Sequence, residues 1–330
     1  MDGGVQTGVT GMTQARRCLV LGGGGFIGSH LVERLLKGGY RVRCFDRSRA
    51  RLLVKSHLLD PHFELFEGDF ALEEDVAAAL EGCDACFHLV STTSPKTSND
   101  DPVFDVETNA LGTLRLLTHV VKSGVKKIVF VSSGGTVYGI PNQVPIPETH
   151  STDPVCSYGI TKLAIEKYLE LFRQLHGLNY AALRVANPYG ILQRVHAAQG
   201  AVAVFLGKAL NGETIEIWGD GTVVRDYVYI SDVADALVLA LENETGERIF
   251  NIGSGRGHSV NEVLDLIEKV TQRRVLRRYL PSRSCDVSKS VLSIERAVKF
   301  LGWSPQIELE RGIQLFSDWL QDERRSAQGR

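Results

Sequence analysis

The sequence predicts an α/β fold in which helices wind around both faces of a parallel β-sheet, with a smaller C-terminal lobe. Two observations predict it. Short β-rich apolar runs alternate with longer stretches whose apolar residues recur every three to four positions, and such alternation requires right-handed crossovers between parallel strands. The 330 residues, 43% hydrophobic and 23% charged, have an ordinary globular composition, which excludes a disordered, collagen-like or coiled-coil chain.

The elements follow in a regular order along the chain. The runs predicted as strands are 17–21, 41–45, 63–66, 85–90, 128–131 and 181–185, and the stretches predicted as helices are 26–36, 72–80, 104–121 and 158–175. The alternation weakens after Arg184, where the pattern predicts a loop at 190–200, a tight turn at 219–221 and late helices at 260–270 and 309–320. We expect one or two late strands to return to the main sheet.

These boundaries predict two units and two tails. Residues 12–184 and 223–255 are expected to form the larger domain around the main sheet, and residues 185–222 and 256–322 the smaller lobe. Residues 1–11, which are small and polar, are expected to be a disordered or tag-derived tail. Residues 323–330 are expected to be a polar tail.

The charge, the hydropathy and the cysteine content indicate which partners and which cellular compartment the protein is expected to have. The 37 basic and 39 acidic residues leave a formal net charge of −2, which favours neither a nucleic acid nor an anionic membrane as partner. No apolar run approaches the roughly 20 residues of a membrane-spanning helix, and the N-terminus lacks a signal-peptide pattern. The scattered cysteines favour a reduced, cytoplasmic protein. Cys83-x-x-Cys86 has no second pair, so we interpret it as a loop and a strand cysteine, and we predict no metal site.

A glycine-rich turn follows the first apolar run. Its register is Gly22-x-x-Gly25-x-x-Gly28, with Phe26 and Ile27 opening the next helix. Such glycines permit a tight turn and a close approach of the backbone to a pyrophosphate, while the helix N-terminus offers free N–H groups to the phosphates.

The second run ends in a carboxylate, Asp46, which lies 18 residues past Gly28 and would accept hydrogen bonds from the adenosine ribose. Together with the glycine turn it predicts a dinucleotide site on a Rossmann-like, doubly wound sheet. Because Asp46 would repel a 2′-phosphate, NAD is favoured over NADP. Arg47 and Arg49 keep NADP open as the alternative.

A tyrosine and a lysine stand four residues apart on a predicted helix, so Tyr158 and Lys162 share one face. A tyrosine with its ordinary pKa of about 10 is a poor base near neutrality. A neighbouring ammonium and an oxidised nicotinamide would both stabilise the phenolate and lower that pKa. The pair follows the strand run that ends at Ser132 and Ser133, and sheets of this class bind ligands at the carboxyl ends of their strands.

The combination of these segments resembles the extended short-chain dehydrogenase/reductase family, specifically its nucleotide-sugar 4-epimerases of the UDP-galactose 4-epimerase type. The resemblance runs from about Arg17 to Trp319. The further matching segments are Gly68-Asp69-Phe70, Phe87-His88-Leu89, Asn109-x-x-Gly112-Thr113, Val137-Tyr138-Gly139, Leu183-Arg184, Asn187-Pro188, Arg225-Asp226-Tyr227, Asn251-Ile252-Gly253, Arg283-x-x-Asp286 and Leu301-Gly302-Trp303-x-Pro305.

The resemblance implies roles for the matched positions. Around the cofactor, Asp69 and Phe70 would contact the adenine, and Asn109 would lie near the cofactor and support the catalytic helix. Arg47 and Leu89 are expected at the same site. The implied substrate-binding residues are Asn187 for the phosphates or the sugar, Arg225 and Arg283 for the diphosphate, and Asp286 for a nucleotide ribose.

One position departs from the family pattern. The catalytic Ser or Thr of the family lies four residues before the tyrosine of Val-Tyr-Gly, where this chain has Gly134. Ser133 or Thr136 could supply the hydroxyl, or a water could. The residues before Val137 are Gly135 and Thr136, and not the acidic residues that 4,6-dehydratases and decarboxylases of the family carry, so both of those reactions are disfavoured.

The implied activity is NAD-dependent C4 epimerisation of a UDP-sugar through a transient 4-keto sugar, with tightly bound NAD and a homodimer formed through two helices per subunit. Ser290, four residues after Asp286, stands where members restricted to glucose and galactose often have a bulky Tyr. It predicts room for an N-acetylated or otherwise modified hexose. A role in surface-polysaccharide synthesis is expected. The alternatives are an NAD(P)H-consuming 4-ketosugar reductase and a catalytically silent nucleotide-binding regulator.

Overall fold

A seven-stranded parallel sheet forms the centre of the molecule. The computed structural model describes residues 16–49, 52–196, 200–282 and 287–328, with residues 327 and 328 described through their backbone only. The strands within these ranges are β1 (Arg17–Leu21), β2 (Arg41–Asp46), β3 (Phe63–Glu67), β4 (Ala85–His88), β5 (Lys127–Ser133), β6 (Asn179–Val185), β7 (Asn187–Tyr189), β8 (Ile215–Trp218), β9 (Val224–Tyr229), β10 (Ile249–Ile252), β11 (Gly257–Ser259), β12 (Arg277–Leu280) and β13 (Lys289–Ser290).

The order of the central sheet is β10-β6-β5-β4-β1-β2-β3, with every neighbouring pair parallel. The chain therefore builds outward from β1 in one direction and from β4 in the other, and the two halves meet between β1 and β4. The loops that leave the carboxyl ends of these two strands diverge to opposite faces and open a crevice there. The predicted doubly wound sheet is confirmed, and one late strand, β10, returns to it.

Helices cover both faces of the sheet. They are α1 (Phe26–Lys37), α2 (Glu73–Leu80), α3 (Thr97–Asp100), α4 (Pro102–Asp105), α5 (Gly112–Ser123), α6 (Ser157–His176), α7 (Ala201–Asn211), α8 (Ile230–Glu242), α9 (Val260–Thr271), α10 (Glu295–Leu301) and α11 (Leu309–Gln328). Alternate residues of β1 face opposite sides: Val20 packs in the core with α1 and α8, and Leu19 in the core with α2, α5 and α6. Both faces of the strand are thus buried, as its apolar run requires.

The segment predicted as one helix over 104–121 is built from three pieces. α4 ends at Asp105, a π-helical stretch follows at Val106–Leu111, and α5 begins at Gly112. A π-helical turn inserts extra backbone that apolar periodicity does not register, and such turns are frequent at functional sites. This one carries Asn109.

The smaller lobe is built on short strands. β9 pairs with β7, β11 and β13, and β12 pairs with β8. The segment 223–255 is therefore divided, because β9 joins the lobe while β10 joins the central sheet. The apolar pattern of residues 223–255 predicts strands, but it does not indicate which sheet each strand joins. At the C-terminus, α11 continues to Gln328, so residues 323–328 extend a helix where we expected a tail.

Three further expectations concern membrane helices, cysteines and metal sites in the part of the chain that the structure describes. None of its helices is long and apolar enough to cross a membrane. The five cysteines that the described ranges contain carry free thiols, Cys83 and Cys86 included, in agreement with the interpretation of a loop and a strand cysteine. Within those ranges, no cluster of His, Cys, Asp and Glu could hold a metal ion. The predicted tail at 1–11 lies outside the described residues.

Candidate active site

The glycine turn after β1 brings backbone and helix into close contact. Gly22 has a φ of +82°, which favours glycine. A Cβ on Gly23 would lie 2.6 Å from Cys44 Sγ, and a Cβ on Gly28 would overlap the backbone of Gly22 and Gly23. α1 can therefore begin directly against the turn. Its N-cap, Gly25, has no side chain to cap the first turn, so the helix N–H groups there stay open to an anion.

Asp46 closes this turn from the end of β2. Its Oδ2 accepts the Gly24 N–H (3.1 Å) and its Oδ1 accepts the Arg47 N–H (2.8 Å). The carboxylate is buried and held by backbone donors, yet it also lines the groove described next. A carboxylate oxygen has more than one lone pair, so Asp46 retains acceptor capacity for the two hydroxyls of a ribose.

A groove of about 830 Å³ runs along the carboxyl edge of β1, β2 and β4. Seven of the residues that the sequence assigned to the cofactor line it: Gly22, Gly25, Asp46, Arg47, Asp69, Phe70 and Leu89. Sequence reasoning missed the loop after β4, where Ser91 and Thr92 line the same groove, and Arg115 of α5. Its volume, its glycine turn and the Asp46 carboxylate at the end of β2 fit an adenine dinucleotide.

The Asn109 side chain supports this groove from behind. Its Oδ1 accepts the Thr92 N–H (3.0 Å), and its Nδ2 donates to Thr92 Oγ1 (2.9 Å), Thr93 Oγ1 (3.1 Å) and Asp105 Oδ1 (3.0 Å). The buried amide thus fixes the loop after β4. Support of the catalytic helix by Asn109 and its closeness to the cofactor both stay predictions.

Tyr158 and Lys162 lie at the start of α6, on one face of the helix. The Lys162 ammonium is buried, donates to the Val131 carbonyl (3.0 Å) at the end of β5 and lies 5.5 Å from the centre of the Tyr158 ring. It also lies 4.7 Å from the centre of the Phe130 ring. The predicted pair is therefore assembled at the edge of the sheet where β5 ends, as the strand rule requires.

Burial sets the protonation of both groups. Burial raises the pKa of the Tyr158 phenol to about 12, although a hydrogen bond with Ser91 lowers it. Burial also lowers the pKa of the Lys162 ammonium to about 8, against the opposing negative charges of Asp105 and Glu166. We expected Lys162 to hold the tyrosine pKa low. In the protein alone the desolvation of the phenol is the larger effect.

Gly134 has no room for the usual hydroxyl side chain. A Cβ there would lie 2.5 Å from Leu292 Cδ1 and 2.9 Å from the Arg184 carbonyl oxygen. Leu292 of the lobe therefore fills the space that a serine at this position would need. The Thr136 backbone approaches the catalytic helix instead, since a Cβ on Gly159 would lie 2.8 Å from Thr136 O.

The two candidate hydroxyls differ in their surroundings. Thr136 Oγ1 is buried and has no hydrogen-bond partner among the described residues. An unpaired buried hydroxyl is costly unless something else binds it. Ser133 is half-buried at the end of β5, where its carbonyl accepts the Val137 N–H (3.2 Å). Of the two, Thr136 is thus the one whose hydroxyl is buried without a hydrogen bond among the described residues.

The residues predicted on the substrate side lie along β7, β9 and β13. Asn187 Nδ2 donates to the Asp226 carbonyl (2.8 Å), and Arg225 Nη1 donates to the carbonyls of Val224 (2.9 Å) and Val287 (2.7 Å). Ser290 is buried on β13 in register with Arg225. Arg283 and Asp286 lie outside the described residues.

A second groove, of about 720 Å³, opens in the lobe beside these strands. It is lined by Trp218, Gly219, Asp220, Val223, Tyr279, Leu280, Ser282 and Ser288. Trp218 and Tyr279 are the large aromatic residues of this lining, and about half of each is exposed. This groove was not predicted from the sequence. Trp218 and Tyr279 lie on separate runs that become β8 and β12, so their aromatic character alone did not indicate a shared site.

A groove for a dinucleotide and a half-buried tyrosine beside a buried lysine thus share one edge of a parallel sheet, and together they define the class of NAD-binding enzymes with the architecture of short-chain dehydrogenases. The chain belongs to the NAD dependent epimerase/dehydratase family, whose sequence profile matches residues 18–253.

The solved structures and sequences most similar to the chain include several UDP-glucose 4-epimerases. That of Thermotoga maritima, solved with UDP-glucose, is 39% identical, with a TM-score of 0.87 over 93% of this chain and 99% of its own. That of Thermus thermophilus, solved with NAD, is 35% identical, with a TM-score of 0.84 over 92% of this chain and 99% of its own. The Mycolicibacterium smegmatis enzyme is 38% identical over 302 residues, 90% of this chain and 96% of its own. The resemblance to NAD-dependent nucleotide-sugar 4-epimerases is therefore confirmed.

Proposed function

We propose that the protein is an NAD-dependent nucleotide-sugar 4-epimerase, which inverts C4 of a UDP-hexose through a transient 4-keto sugar. One observation carries the proposal most directly. Tyr158 and Lys162 lie together at the carboxyl edge of β5, with the Lys162 ammonium 5.5 Å from the Tyr158 ring centre. Tyr158 also interacts with Ser91, which lines the groove whose glycine turn and Asp46 fit NAD.

The residues of the groove would hold the cofactor by its adenosine half. The glycine turn and the open N-terminus of α1 would bind the pyrophosphate, with Phe26, Ile27 and Gly28 opening that helix. Asp46 would accept the ribose hydroxyls, and Asp69 and Phe70 would lie against the adenine. The chemistry that bound NAD would supply is reversible hydride transfer at C4, from one face of the sugar and back to the other.

The proton of the 4-hydroxyl is the chain's own part of the chemistry. Tyr158 would accept this proton as the sugar is oxidised. It would return the proton after the 4-keto sugar has rotated about its diphosphate linkage. Lys162 would bind the nicotinamide ribose and stabilise the phenolate by its charge. Thr136, whose hydroxyl lacks a partner among the described residues, would donate to or accept from the sugar oxygen, with Ser133 as the second candidate.

The nucleotide half of the substrate would occupy the second groove. Trp218 and Tyr279 offer aromatic faces on which a base can stack. Val223 of this groove lies two residues from Arg225, so a uracil there would bring its diphosphate toward the Arg225 guanidinium. Asn187 would bind the phosphates or the sugar, and Arg283 and Asp286 are proposed for the diphosphate and the ribose.

Three finer assignments belong to this proposal: the sugar that the pocket accepts, the oligomeric state and the cellular compartment. Ser290 would leave room at C2, so the enzyme would accept N-acetylated or otherwise modified hexoses, in keeping with a role in surface-polysaccharide synthesis.

We also infer a homodimer formed through α5 and α6. Its support is a set of exposed apolar side chains on and just before these helices: Phe104, Val106, Leu111, Ile160, Leu171 and Leu175. Unpaired thiols at the five described cysteines support a cytoplasmic protein.

The test is incubation of the purified protein with a panel of UDP-hexoses and UDP-N-acetylhexosamines, followed by NMR of the products. We expect interconversion of the gluco and galacto configurations without added NADH. Net consumption of NADH with a 4-keto substrate would instead make the protein a ketosugar reductase. Binding of NAD and of UDP-sugars without turnover would make it a regulator on the same fold.

A further inference from the structure

A buried carboxylate, Asp105, joins the cofactor loop to the first turn of the catalytic helix. It is the last residue of α4 and is fully buried. Its Oδ2 accepts hydrogen bonds from Ser157 Oγ and Thr161 Oγ1, both at 2.7 Å. Its Oδ1 accepts from Asn109 Nδ2 (3.0 Å) and from the Thr93 hydroxyl. Four side chains from three segments thus converge on one carboxylate.

The two donors on α6 directly precede the reacting groups. Ser157 comes before Tyr158, and Thr161 before Lys162. The N-cap of the helix, Cys156, supplies no side-chain hydrogen bond to the first turn, so this turn needs anchors from elsewhere. The Asp105 carboxylate is one of them, and it fixes the orientation of the helix face that carries the tyrosine and the lysine.

The neighbouring helix α3 supplies two more anchors. Asn99 Oδ1 accepts the Ser157 N–H (2.9 Å), and Ser98 Oγ accepts the Tyr158 N–H (3.0 Å). These bonds hold the same turn without placing a charge near it. Asp105 therefore differs from the other anchors in one property, its negative charge.

We propose that Asp105 is a positioning residue of this site, which orients the first turn of α6 and places a buried negative charge against Thr161, the neighbour of Lys162. The inference rests on the proposed role of Tyr158 and Lys162 and adds to it a group that touches neither the sugar nor the cofactor. Sequence spacing does not reveal the group, because its partners lie up to 56 positions away.

The charged groups around Lys162 come from several elements. Glu166 lies one turn further along α6 and Asp105 on α4, and both raise the pKa of the ammonium against the effect of burial. Of the two, Asp105 has the larger effect. Tyr158 lies on the same helix face, and His88 on β4 is buried and neutral, since burial and the Lys162 charge lower its pKa to about 3. No further titratable group acts on Lys162 within the described ranges.

Asp105 itself stays ionised near neutrality. Burial raises its pKa, but the hydrogen bonds from Thr93, Thr161, Ser157 and Asn109 together outweigh burial and lower it. The charge of Glu166 is balanced mainly by Arg184, which binds both of its carboxylate oxygens. The negative charge of Asp105 is therefore the one that balances the lysine.

Removing that charge has a defined direction. Lys162, with a pKa of about 8, would lose a stabilising anion, so its pKa would fall further. The active form needs the lysine protonated and the tyrosine as phenolate, so the two limbs of the pH profile report these two groups together. The Asp105 charge also raises the pKa of Tyr158, so its removal moves both limbs of the pH profile in the acid direction.

The test compares Asp105→Asn with the wild type in the NAD-bound protein. Asparagine keeps the shape, and the hydroxyls of Ser157 and Thr161 can reverse their direction to suit it. We expect the alkaline limb of kcat to move down by about one pH unit. NMR of 13Cε-labelled lysine, with the Lys162 signal assigned by its absence in Lys162→Met, should report the same fall in the lysine pKa.

The control is Ser157→Ala, which removes one hydrogen bond and retains the charge. It should lower kcat without moving the alkaline limb. An Asp105→Asn protein that melts normally and keeps both the limb and the lysine titration of the wild type would overturn the inference. A Tyr158→Phe enzyme with full activity would instead overturn the proposed function on which the inference rests, so the two failures are distinguishable. If Asp105→Asn does not fold, Asp105→Ser decides the same point: a Lys162 pKa below that of the wild type supports the inference, and an unchanged one overturns it.

Discussion

Glu166 and Arg184 form a buried, bidentate ion pair beneath the active site. Arg184 Nη2 lies 2.6 Å from Glu166 Oε2, and Arg184 Nε lies 3.1 Å from Glu166 Oε1. Glu166 also accepts a hydrogen bond from the Ser132 hydroxyl, and the guanidinium lies 4.8 Å from the centre of the Tyr138 ring. The pair ties α6 to β5 and β6, and Glu166 stands one helical turn after Lys162. It therefore fixes the depth at which the catalytic face of the helix meets the sheet.

Glu166→Ala is expected to lower the free energy of unfolding by about 3–5 kcal/mol, because it leaves the Arg184 charge buried without its partner. Urea unfolding followed by circular dichroism measures the change. The control is Arg256→Ala, which breaks an ion pair with Glu308 whose two side chains are both about two-thirds exposed, and it should change stability by less than about 1 kcal/mol. Equal effects of the two substitutions would contradict the role assigned to the buried pair.

Tyr158→Phe is expected to lower the epimerisation rate by about 10³-fold, because it removes the proposed proton acceptor. Bound NAD, read from the absorbance of the purified protein, should be unchanged. Tyr168→Phe is the matched control on the same helix, since Tyr168 is partly exposed and away from the site, and it should retain full activity. Near-normal turnover in Tyr158→Phe would show that another group takes the proton.

Thr136→Val is expected to lower kcat by about 10²-fold, since it replaces the hydroxyl without a partner by a methyl group of the same shape. Ser133→Ala should have the smaller effect. The rates of both variants are compared at saturating substrate, with thermal melting as the check on folding. A fully active Thr136→Val together with an inactive Ser133→Ala would reverse the assignment, and full activity in both would assign the role to a water.

Ser290→Tyr is expected to suppress turnover of UDP-N-acetylhexosamines by at least about tenfold more than that of UDP-hexoses. A tyrosine would take up volume at C2, and displacement of a large side chain discriminates strongly between substrates. The kcat/KM values of the two substrate classes are compared in wild type and variant. Because Ser290 is buried on β13, Ser290→Ala serves as the control for changes in packing. Equal losses for both substrate classes would contradict the assignment of Ser290 to the sugar pocket.

The parts of the site that the sequence predicts are those set by local spacing. Gly22, Gly25 and Asp46 belong to two neighbouring strands and one turn, so their chemistry follows from a short stretch of chain, and the Tyr158–Lys162 pair follows from the helical period. By contrast, Asp105 receives two of its hydrogen bonds from residues on α6, and Trp218 and Tyr279 line one groove from two different strands of the lobe. No local pattern links such positions, because only the tertiary fold brings them together.

The departure at Gly134 has the same origin. The sequence identifies a missing hydroxyl but not its cause, since Leu292 is far away along the chain and enters the site from β13 and the residues after it. The π-helical stretch at Val106–Leu111 was also missed. Its apolar residues still recur at nearly helical intervals, so periodicity alone predicts a continuous helix over this segment.

The central claim is that C4 of the sugar is oxidised and then reduced again within one bound complex. The most direct measurement of it follows a UDP-hexose that carries deuterium at C4, mixed with unlabelled UDP-hexose, with no NADH added. We predict that the C4 epimer forms with its deuterium retained at C4, and that the label does not pass between sugar molecules. Loss of deuterium to the solvent, or product formation only when NADH is added and consumed, would contradict the account.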